Sequence, residues 1–376
     1  MGVFSFSALK EDMAALDKLL FGSIVLLGVL GVVCIFSAGA GYAGRGWTYA
    51  ARQLSWLSIA CAAYVAIVSV GYEKIMDLAY PIYGVTLLLL LLTLLVAPAV
   101  KGAQRVIPLG FISFQPSEFA KISLIIVLTK FLSRYPPLTL KPFLGGIGVG
   151  LPALFLVLIQ PDAGSGMVYV VIIMSMLFVA GPPLKYFFSM MIAGMALLPF
   201  AWFSLKEYQK MRLLVFLDPT RDPLGAGYNA IQSRIAVGSG SLWGKGFLQG
   251  MQSKLRFLPE PHTDFIFSVY AEEFGFWGSF LLLAAFGLVF TRVITAGMKS
   301  RDIRGKILVA GVAGWIWFQM FEAIGMSIGL MPITGIPLPF LSYGGSSLLS
   351  VSIALGLVGS VYASANSAKR YKQGRI

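Results

Sequence analysis

Hydrophobic residues in this chain come in long, nearly unbroken runs, and that pattern predicts its elements. A helix needs about 17–25 apolar residues to cross a bilayer. Runs of that length fall near residues 19–40, 53–72, 76–98, 143–160, 165–184, 187–205, 264–292, 307–331 and 341–365. A tenth, 117–133, contains Glu118 and Lys121 and escapes a strict apolar filter. The expected fold class is all-α: a polytopic membrane protein of about ten transmembrane helices. It forms one integral membrane domain over residues 1–376, with no internal repeat.

Composition agrees. The chain is 57% hydrophobic and 12% charged, where a soluble domain is about 25% charged. Lys10, Glu11, Asp12, Asp17 and Lys18 precede the first run without a small-residue cleavage pattern, so no cleavable signal peptide is expected. Cys34 and Cys61 lie inside apolar runs and suit core packing; two cysteines build neither a disulfide framework nor a zinc site.

Charge orients the bundle. An even number of helices puts both termini on one side, and cytoplasmic loops carry an excess of Lys and Arg. Lys130, Arg134 and Lys141, then Arg292, Lys299, Arg301, Arg304 and Lys306, then the tail Lys369, Arg370, Lys372 and Arg375 all fall on the same side. The termini are therefore expected to be cytoplasmic.

One outer loop, residues 206–262 between helices 7 and 8, breaks the rule. It holds Lys206, Lys210, Arg212, Arg221, Arg234, Lys245, Lys254 and Arg256 against four acids. Long loops translocate largely regardless of charge. Its basic residues suit either a surface facing anionic headgroups or a site for phosphate. Gly225, Gly227, Gly238, Gly240, Gly244, Gly246 and Gly250 alternate with them and favour the second, since glycine lets backbone N–H groups approach an anion. The spacing matches no nucleotide P-loop, so a lipid-linked phosphate is the expected ligand, with Arg212, Lys245 and Lys254 as contacts. No nucleic-acid partner is expected.

Embedded charges form a second group. Pro116 and Ser117 are helix-start residues, and Glu118 sits in the first turn, where the helix dipole favours an anion. Lys121, three positions on, shares its face and can pair with it. The pair can be a structural tie, can line a substrate cavity, or both. As a tie, each single substitution lowers folded yield and exchanging the two residues restores part of it. Asp162, in Gln160-Pro161-Asp162, is either a turn residue or a second acid facing that cavity, the second being favoured.

The stretch Leu258-Pro259-Glu260-Pro261-His262-Thr263-Asp264-Phe265-Ile266-Phe267 contains the only histidine and puts an aspartate where the chain re-enters an apolar run. Thr263 and Asp264 suit a helix cap. A carboxylate at membrane depth equally suits catalysis or ion handling, since burying it costs about 2.5–3.5 kcal/mol at a bilayer centre and less toward the edge. On the eighth helix, Asp264, Ser268 and Glu272 are four apart and are therefore expected to share a face. Glu272 and Glu273 are expected to satisfy polar groups inside the bundle. Before the last helix, Pro332, Gly335, Pro337 and Pro339, then Ser342-Tyr343-Gly344-Gly345-Ser346-Ser347, predict irregular backbone, which at this depth must be buried in protein or line a cavity.

Taken together, these segments resemble the SEDS family (shape, elongation, division and sporulation), polymerases that build peptidoglycan glycan strands. The matching pieces are Gln115-Pro116-Ser117-Glu118 with Lys121, Gln160-Pro161-Asp162, Asp218-Pro219, Gly225-Ala226-Gly227-Tyr228, Gln232-Ser233 and Gly238-Ser239-Gly240. Further along come His262-Thr263-Asp264-Phe265-Ile266-Phe267, Glu272-Glu273, and Pro337-Leu338-Pro339 with Ser342-Tyr343-Gly344-Gly345-Ser346. Asp222-Pro223-Leu224-Gly225 and Gln252-Ser253-Lys254-Leu255-Arg256 look like the elongation branch. Two positions depart from the pattern. Val106 follows Gln104-Arg105 where many relatives have tryptophan, and Ala323 stands where an asparagine is common.

The resemblance implies a glycosyltransferase of the bacterial inner (cytoplasmic) membrane. It would polymerise lipid II by inverting transfer, releasing undecaprenyl pyrophosphate. It implies that Asp264 is the essential acid, with Glu118, Lys121, Asp162, Arg212, Lys245, Lys254, His262 and Ser342 as substrate contacts. His262 is the competing general base. A divalent metal, magnesium or manganese, fits the family, although no ligand spacing identifies a site. A class B penicillin-binding protein is the implied partner, because the chain has no serine nucleophile motif for cross-linking. A lipid II transporter and a non-catalytic scaffold are the alternatives.

Overall fold

A computed structural model describes residues 17–41, 45–97, 105–109, 112–205, 207–222 and 225–372. Lys10, Glu11, Asp12, Gln104, Lys206, Pro223, Leu224 and Arg375, named above, lie outside the described residues, as do the side chains of Lys369, Arg370 and Lys372. Among the described residues the fold is all-α apart from one small hairpin. In chain order the helices are α1 (Lys18–Ala40), α2 (Gly46–Val70), α3 (Tyr72–Asp77), α4 (Ala79–Val96), α5 (Pro116–Arg134), α6 (Leu140–Ile159) and α7 (Ala163–Ala180). They continue as α8 (Leu184–Ser204), α9 (Glu207–Leu217), α10 (Ala226–Ser239), α11 (Met251–Lys254), α12 (Ile266–Lys299), α13 (Ile303–Ile328) and α14 (Gly345–Lys372). Strands β1 (Ile107–Leu109) and β2 (Ile112–Phe114) pair antiparallel just before α5, which the sequence pattern did not predict.

Among the described residues, eight helices are long and apolar enough to cross a membrane: α1, α2, α4, α6, α7, α12, α13 and α14. Helix α5 has the length but carries Glu118, Lys121, Lys130 and Arg134, and the apolar stretch of α8 is Leu184–Leu197. The chain is a multi-pass membrane protein.

Helix α5 is the axis of the bundle. It packs against α4, α6, α7, α13 and α14, and its residues from Pro116 to Thr129 are buried except Phe119. Large apolar side chains such as Leu95, Phe155, Phe200 and Phe203 are instead exposed on the periphery, the arrangement that suits lipid. Pro116 stands at the start of α5 and Glu118 in its first turn, as the start signals predict.

The outer loop between the seventh and eighth predicted spans contains helices of its own. Residues 207–217, 226–239 and 251–254 are helical, and Pro219–Arg221 forms a 3-10 turn. Exposed Asp218 caps that turn. Its carboxylate accepts from the Thr220 hydroxyl (2.6 Å) and backbone N–H (3.1 Å), which hold it below the usual carboxylate range.

Helix α12 breaks at Gly275, whose φ of 66° and ψ of −159° belong to neither helix nor strand. The outer loop repairs the break. The carbonyls of Glu272 and Glu273 accept from the N–H groups of Lys245 and Gly246 (3.0 Å each). The N–H groups of Phe276 and Trp277 donate to the carbonyls of Ser241 and Leu242 (2.9 and 3.2 Å). Buried backbone groups must be paired, so loop and helix fold as one unit. Gly240 and Gly244 are glycines for this reason: a Cβ at either would collide with the Ala271 or Glu273 carbonyl. Their small size serves backbone against backbone, which corrects the reading of these two as part of a phosphate cradle.

Gly275→Ala tests the junction. The residue sits in a region that is essentially glycine-only, where strain costs about 1–3 kcal/mol, and its Cβ would also collide with the Gly244 amide. Thermal unfolding in detergent is expected to show a lower midpoint and earlier proteolysis within residues 240–250. An unchanged midpoint would refute the coupling.

Candidate active site

Asp264 lies in a turn, not in the helix that follows. Glu260, at φ 49°, accepts from the N–H groups of Thr263 (3.3 Å) and Phe265 (3.4 Å), and α12 begins at Ile266 with Phe265 as its N-cap. The N-cap position thus falls to Phe265, one residue beyond Asp264. The shared face with Ser268 and Glu272 does not apply, because Asp264 is outside the helix.

The turn is pinned from the segment before α14. The Ser342 hydroxyl donates to the Thr263 carbonyl (2.7 Å) and accepts from the Leu338 N–H (2.8 Å), while the Tyr343 N–H donates to the His262 carbonyl (2.9 Å). Gln53, fully buried on α2, donates to the Ser342 carbonyl and accepts from the Gly344 N–H (3.3 Å each). Ser342 thus holds the Asp264 turn in place. The His262 ring stacks on Tyr49 (4.7 Å between centroids, 13° between planes) and meets Tyr343 edge-on (5.8 Å). Two tyrosines fix the plane of its imidazole.

Half-buried Asp264 abuts Gly335. With φ at 76°, Gly335 brings its backbone so close that a Cβ would sit 3.1 Å from Asp264 Oδ2. Thr334 and Ile336, on either side, lie against Gly164 in the first turn of α7. Asp162 caps that helix, accepting from the Ser165 N–H (3.1 Å) and hydroxyl (2.8 Å), with Arg105 3.7 Å away. It is a cap as well as a buried acid, so the turn reading of Asp162 describes its contacts. Val106 is the half-buried neighbour of Arg105.

Glu322 was not anticipated. It is fully buried on α13, accepts from the Thr334 hydroxyl, and lies within electrostatic reach of Asp264. The available signal was an acid inside an apolar run, the same signal that drew attention to Glu118. Ala323, the departure from the family pattern, is buried beside it in sequence.

Glu118 and Lys121 pair at 2.8 Å with both side chains buried. The Ser350 hydroxyl donates to Glu118 Oε2 (3.1 Å), and Lys121 Nζ lies 4.5 Å from the centroid of the Trp315 ring. Ser346 accepts from the Gln115 N–H (3.2 Å) and donates to the Ser113 carbonyl (2.9 Å). Ser342, Ser346 and Ser350, spaced by four, therefore join one segment to the Asp264 turn, to the start of α5 and to the buried ion pair.

Basic residues of the outer loop divide. Lys245 pairs with Glu272 at 2.7 Å, and the same carboxylate accepts from the N–H groups of Met251 (3.0 Å) and Gln252 (3.2 Å). Glu273 accepts from the Ser37 hydroxyl. Both acids thus satisfy polar groups inside the protein, as expected, and Lys245 is held by one of them. Arg212 on α9 and Lys254 at the end of α11 are exposed. Arg234 reaches the Gly329 carbonyl (3.4 Å), and Arg256 donates to the Gly41 carbonyl (3.0 Å). The structure gathers Asp264, His262 and Ser342 at one point, with Asp162 behind the Thr334–Ile336 segment. Glu118 and Lys121 stand apart from that point and are joined to it by the Ser342–Ser350 segment leading into α14.

Among the described residues, no three His, Cys, Asp or Glu side chains stand where they could hold a metal ion.

Fold and site together define a multi-pass helical membrane protein with a half-buried carboxylate fixed at one end of its bundle. The chain belongs to the FtsW/RodA/SpoVE family, described as cell cycle proteins, whose model matches residues 17–367. It is 40% identical over 267 residues to the peptidoglycan glycosyltransferase MrdB of Escherichia coli (strain K12), covering 70% of this chain and 71% of that one. It is 33% identical to the peptidoglycan glycosyltransferase RodA of Treponema pallidum (strain Nichols), covering 92% of this chain and 97% of the relative. A solved structure described as the structural coordination of polymerization and crosslinking by a peptidoglycan synthase complex matches with a TM-score of 0.77 at 32% identity, covering 91% and 97% of the two chains. The crystal structure of the rod shape determining protein RodA of Thermus thermophilus matches at 0.66 and 29% identity, covering 91% and 94%.

Proposed function

We propose that this protein is a peptidoglycan glycosyltransferase that polymerises lipid II into glycan strands on the outer face of the bacterial cytoplasmic membrane during cell elongation. The observation that carries the reading is the Asp264 turn, a carboxylate held just before the membrane-spanning helix α12 by Ser342, Tyr343 and Gly335 in a chain of this family. The donor is the growing strand on its undecaprenyl pyrophosphate, and the acceptor is the sugar 4-hydroxyl of a new lipid II. Asp264 takes the hydroxyl proton as that oxygen attacks the anomeric carbon from the face opposite the pyrophosphate. The new bond is inverted, and the pyrophosphate leaves with the bonding electrons.

A general base near the nucleophile and positive charge near the leaving group are what such a step requires. Arg212 and Lys254, both exposed on the outer loop, supply positive charge. His262, clamped between two tyrosines, orients substrate in this scheme and does not act as the base. Glu118 and Lys121 support α5 beneath the site. The protein works with a class B penicillin-binding protein, which supplies the cross-linking chemistry that this chain lacks; the similarity to a structure from a peptidoglycan synthase complex supports this.

The test is purified full-length protein given labelled lipid II, alone and with the penicillin-binding protein whose own transferase function is absent. Glycan polymer is expected, with a faster rate and co-purification when the partner is present. Translocation of lipid II without polymer would overturn the enzyme reading, and equal rates with no complex would overturn the partner.

A further inference from the structure

We infer that Glu322 is a positioning residue for Asp264, acting through the Thr334–Gly335 segment; this rests on the reading of Asp264 as the base. Glu322 has no place in the chemistry proposed above, yet it is a fully buried acid in a membrane helix. One of its oxygens, Oε1, accepts the Thr334 hydroxyl, which fixes the height of that residue above α13. The other, Oε2, is sealed from solvent and accepts no hydrogen bond among the described residues. A buried carboxyl with one oxygen unsatisfied is costly, so the contact it does make deserves a function.

That contact leads straight to Asp264. Thr334 is bonded to Gly335, whose α-carbon faces the Asp264 carboxylate so tightly that a Cβ would stand 3.1, 3.7 and 3.9 Å from its Oδ2, Cγ and Oδ1. On the far side, the Thr334 carbonyl and the Ile336 side chain are stopped by Gly164, where a Cβ would meet them at 3.3 and 3.0 Å. The segment is therefore clamped between α7 and Asp264, and Glu322 sets its remaining freedom. Releasing Thr334 lets Gly335 move away from, or into, the carboxylate. A misplacement of about 1 Å at a reacting group can cost up to about 10²-fold in rate.

The experiment measures lipid II polymerisation by the full chain with its penicillin-binding partner, comparing T334V, T334S, E322L, E322Q and the double variant T334V/E322L. T334V removes only the donor at nearly constant volume, so it carries the test should E322L fold poorly; thermal unfolding monitors folding in each. T334V and E322L are expected to lower kcat about 10–100-fold with KM for lipid II nearly unchanged. T334S, which restores the hydroxyl, and E322Q, which keeps an acceptor oxygen, should recover most of the rate. The double variant should be no slower than the worse single one, because both remove the same link.

A parental kcat in T334V, a loss confined to KM, or losses that multiply in the double variant would overturn the inference. So would an E322Q rate as low as that of E322L, which would make the charge and not the hydrogen bond the active feature. An active parent beside those results leaves the proposed function standing, whereas a parent that forms no polymer with its partner overturns both.

Discussion

Asp264→Asn is expected to abolish polymerisation while leaving expression, thermal stability and partner binding intact. The substitution keeps the size and shape of the side chain against Gly335, and backbone groups and Ser342 hold the turn around it. What is lost is basicity. A general base contributes about 10²–10⁴-fold, so the residual rate should lie in or below that range. His262→Ala provides the control. Its imidazole is packed against Tyr49 and Tyr343, so the expected effect is a rise in KM with most of kcat retained. An active Asp264→Asn beside an inactive His262→Ala would transfer the role to the histidine.

The second large effect belongs to the buried ion pair. Glu118→Gln or Lys121→Met leaves one charge without its partner inside the bundle, which costs about 3–5 kcal/mol. Both should reduce the yield of folded protein and lower its unfolding temperature in detergent. The structure alters one expectation drawn from the sequence, that exchanging the residues restores part of the loss. Lys121 lies over the Trp315 ring, and Glu118 sits in the first turn of α5 accepting from Ser350. A carboxylate at 121 would face the electron-rich side of the indole, and an ammonium at 118 would oppose the helix dipole. The exchanged variant should therefore be no more stable than the single ones. Recovery of stability on exchange would show that the pair is symmetric and that Trp315 and the helix end contribute nothing.

Much of the fold was legible because desolvation is local. Each helix that crosses the membrane announces itself as a run of apolar residues, whatever it packs against. Helix α5 was legible for a second reason: Pro116 and Glu118 are start signals that act within one turn. The Asp264 segment was found through an acid at the membrane edge, and the family resemblance assigned it a role. Residues whose purpose depends on distant partners were less legible. Gly240 and Gly244 looked suited to phosphate, yet they make room for the backbone of α12. Both uses demand the absence of a Cβ, and sequence cannot separate them. Lys245 looked available, yet Glu272 holds it. Glu322 carries the same mark as Glu118, an acid inside an apolar run, but its partner Thr334 is not on its own helix, because that contact comes from the following segment folding back.

By itself, the sequence determined that this is a helical, multi-pass membrane protein. Backbone N–H and C=O groups must be satisfied within lipid, and chains with such long apolar runs have few other ways to satisfy them. It also determined where the charges fall along each helix, and so that Glu118 and Lys121 share a face. Only the tertiary structure decided which polar groups meet. It put Ser342 under the Asp264 turn, brought the outer loop across the Gly275 break, and set Gly335 against the carboxylate. The reason is physical. The preference of a segment for lipid is a sum over its own residues, whereas a hydrogen bond or ion pair depends on the relative position of two segments that packing alone establishes.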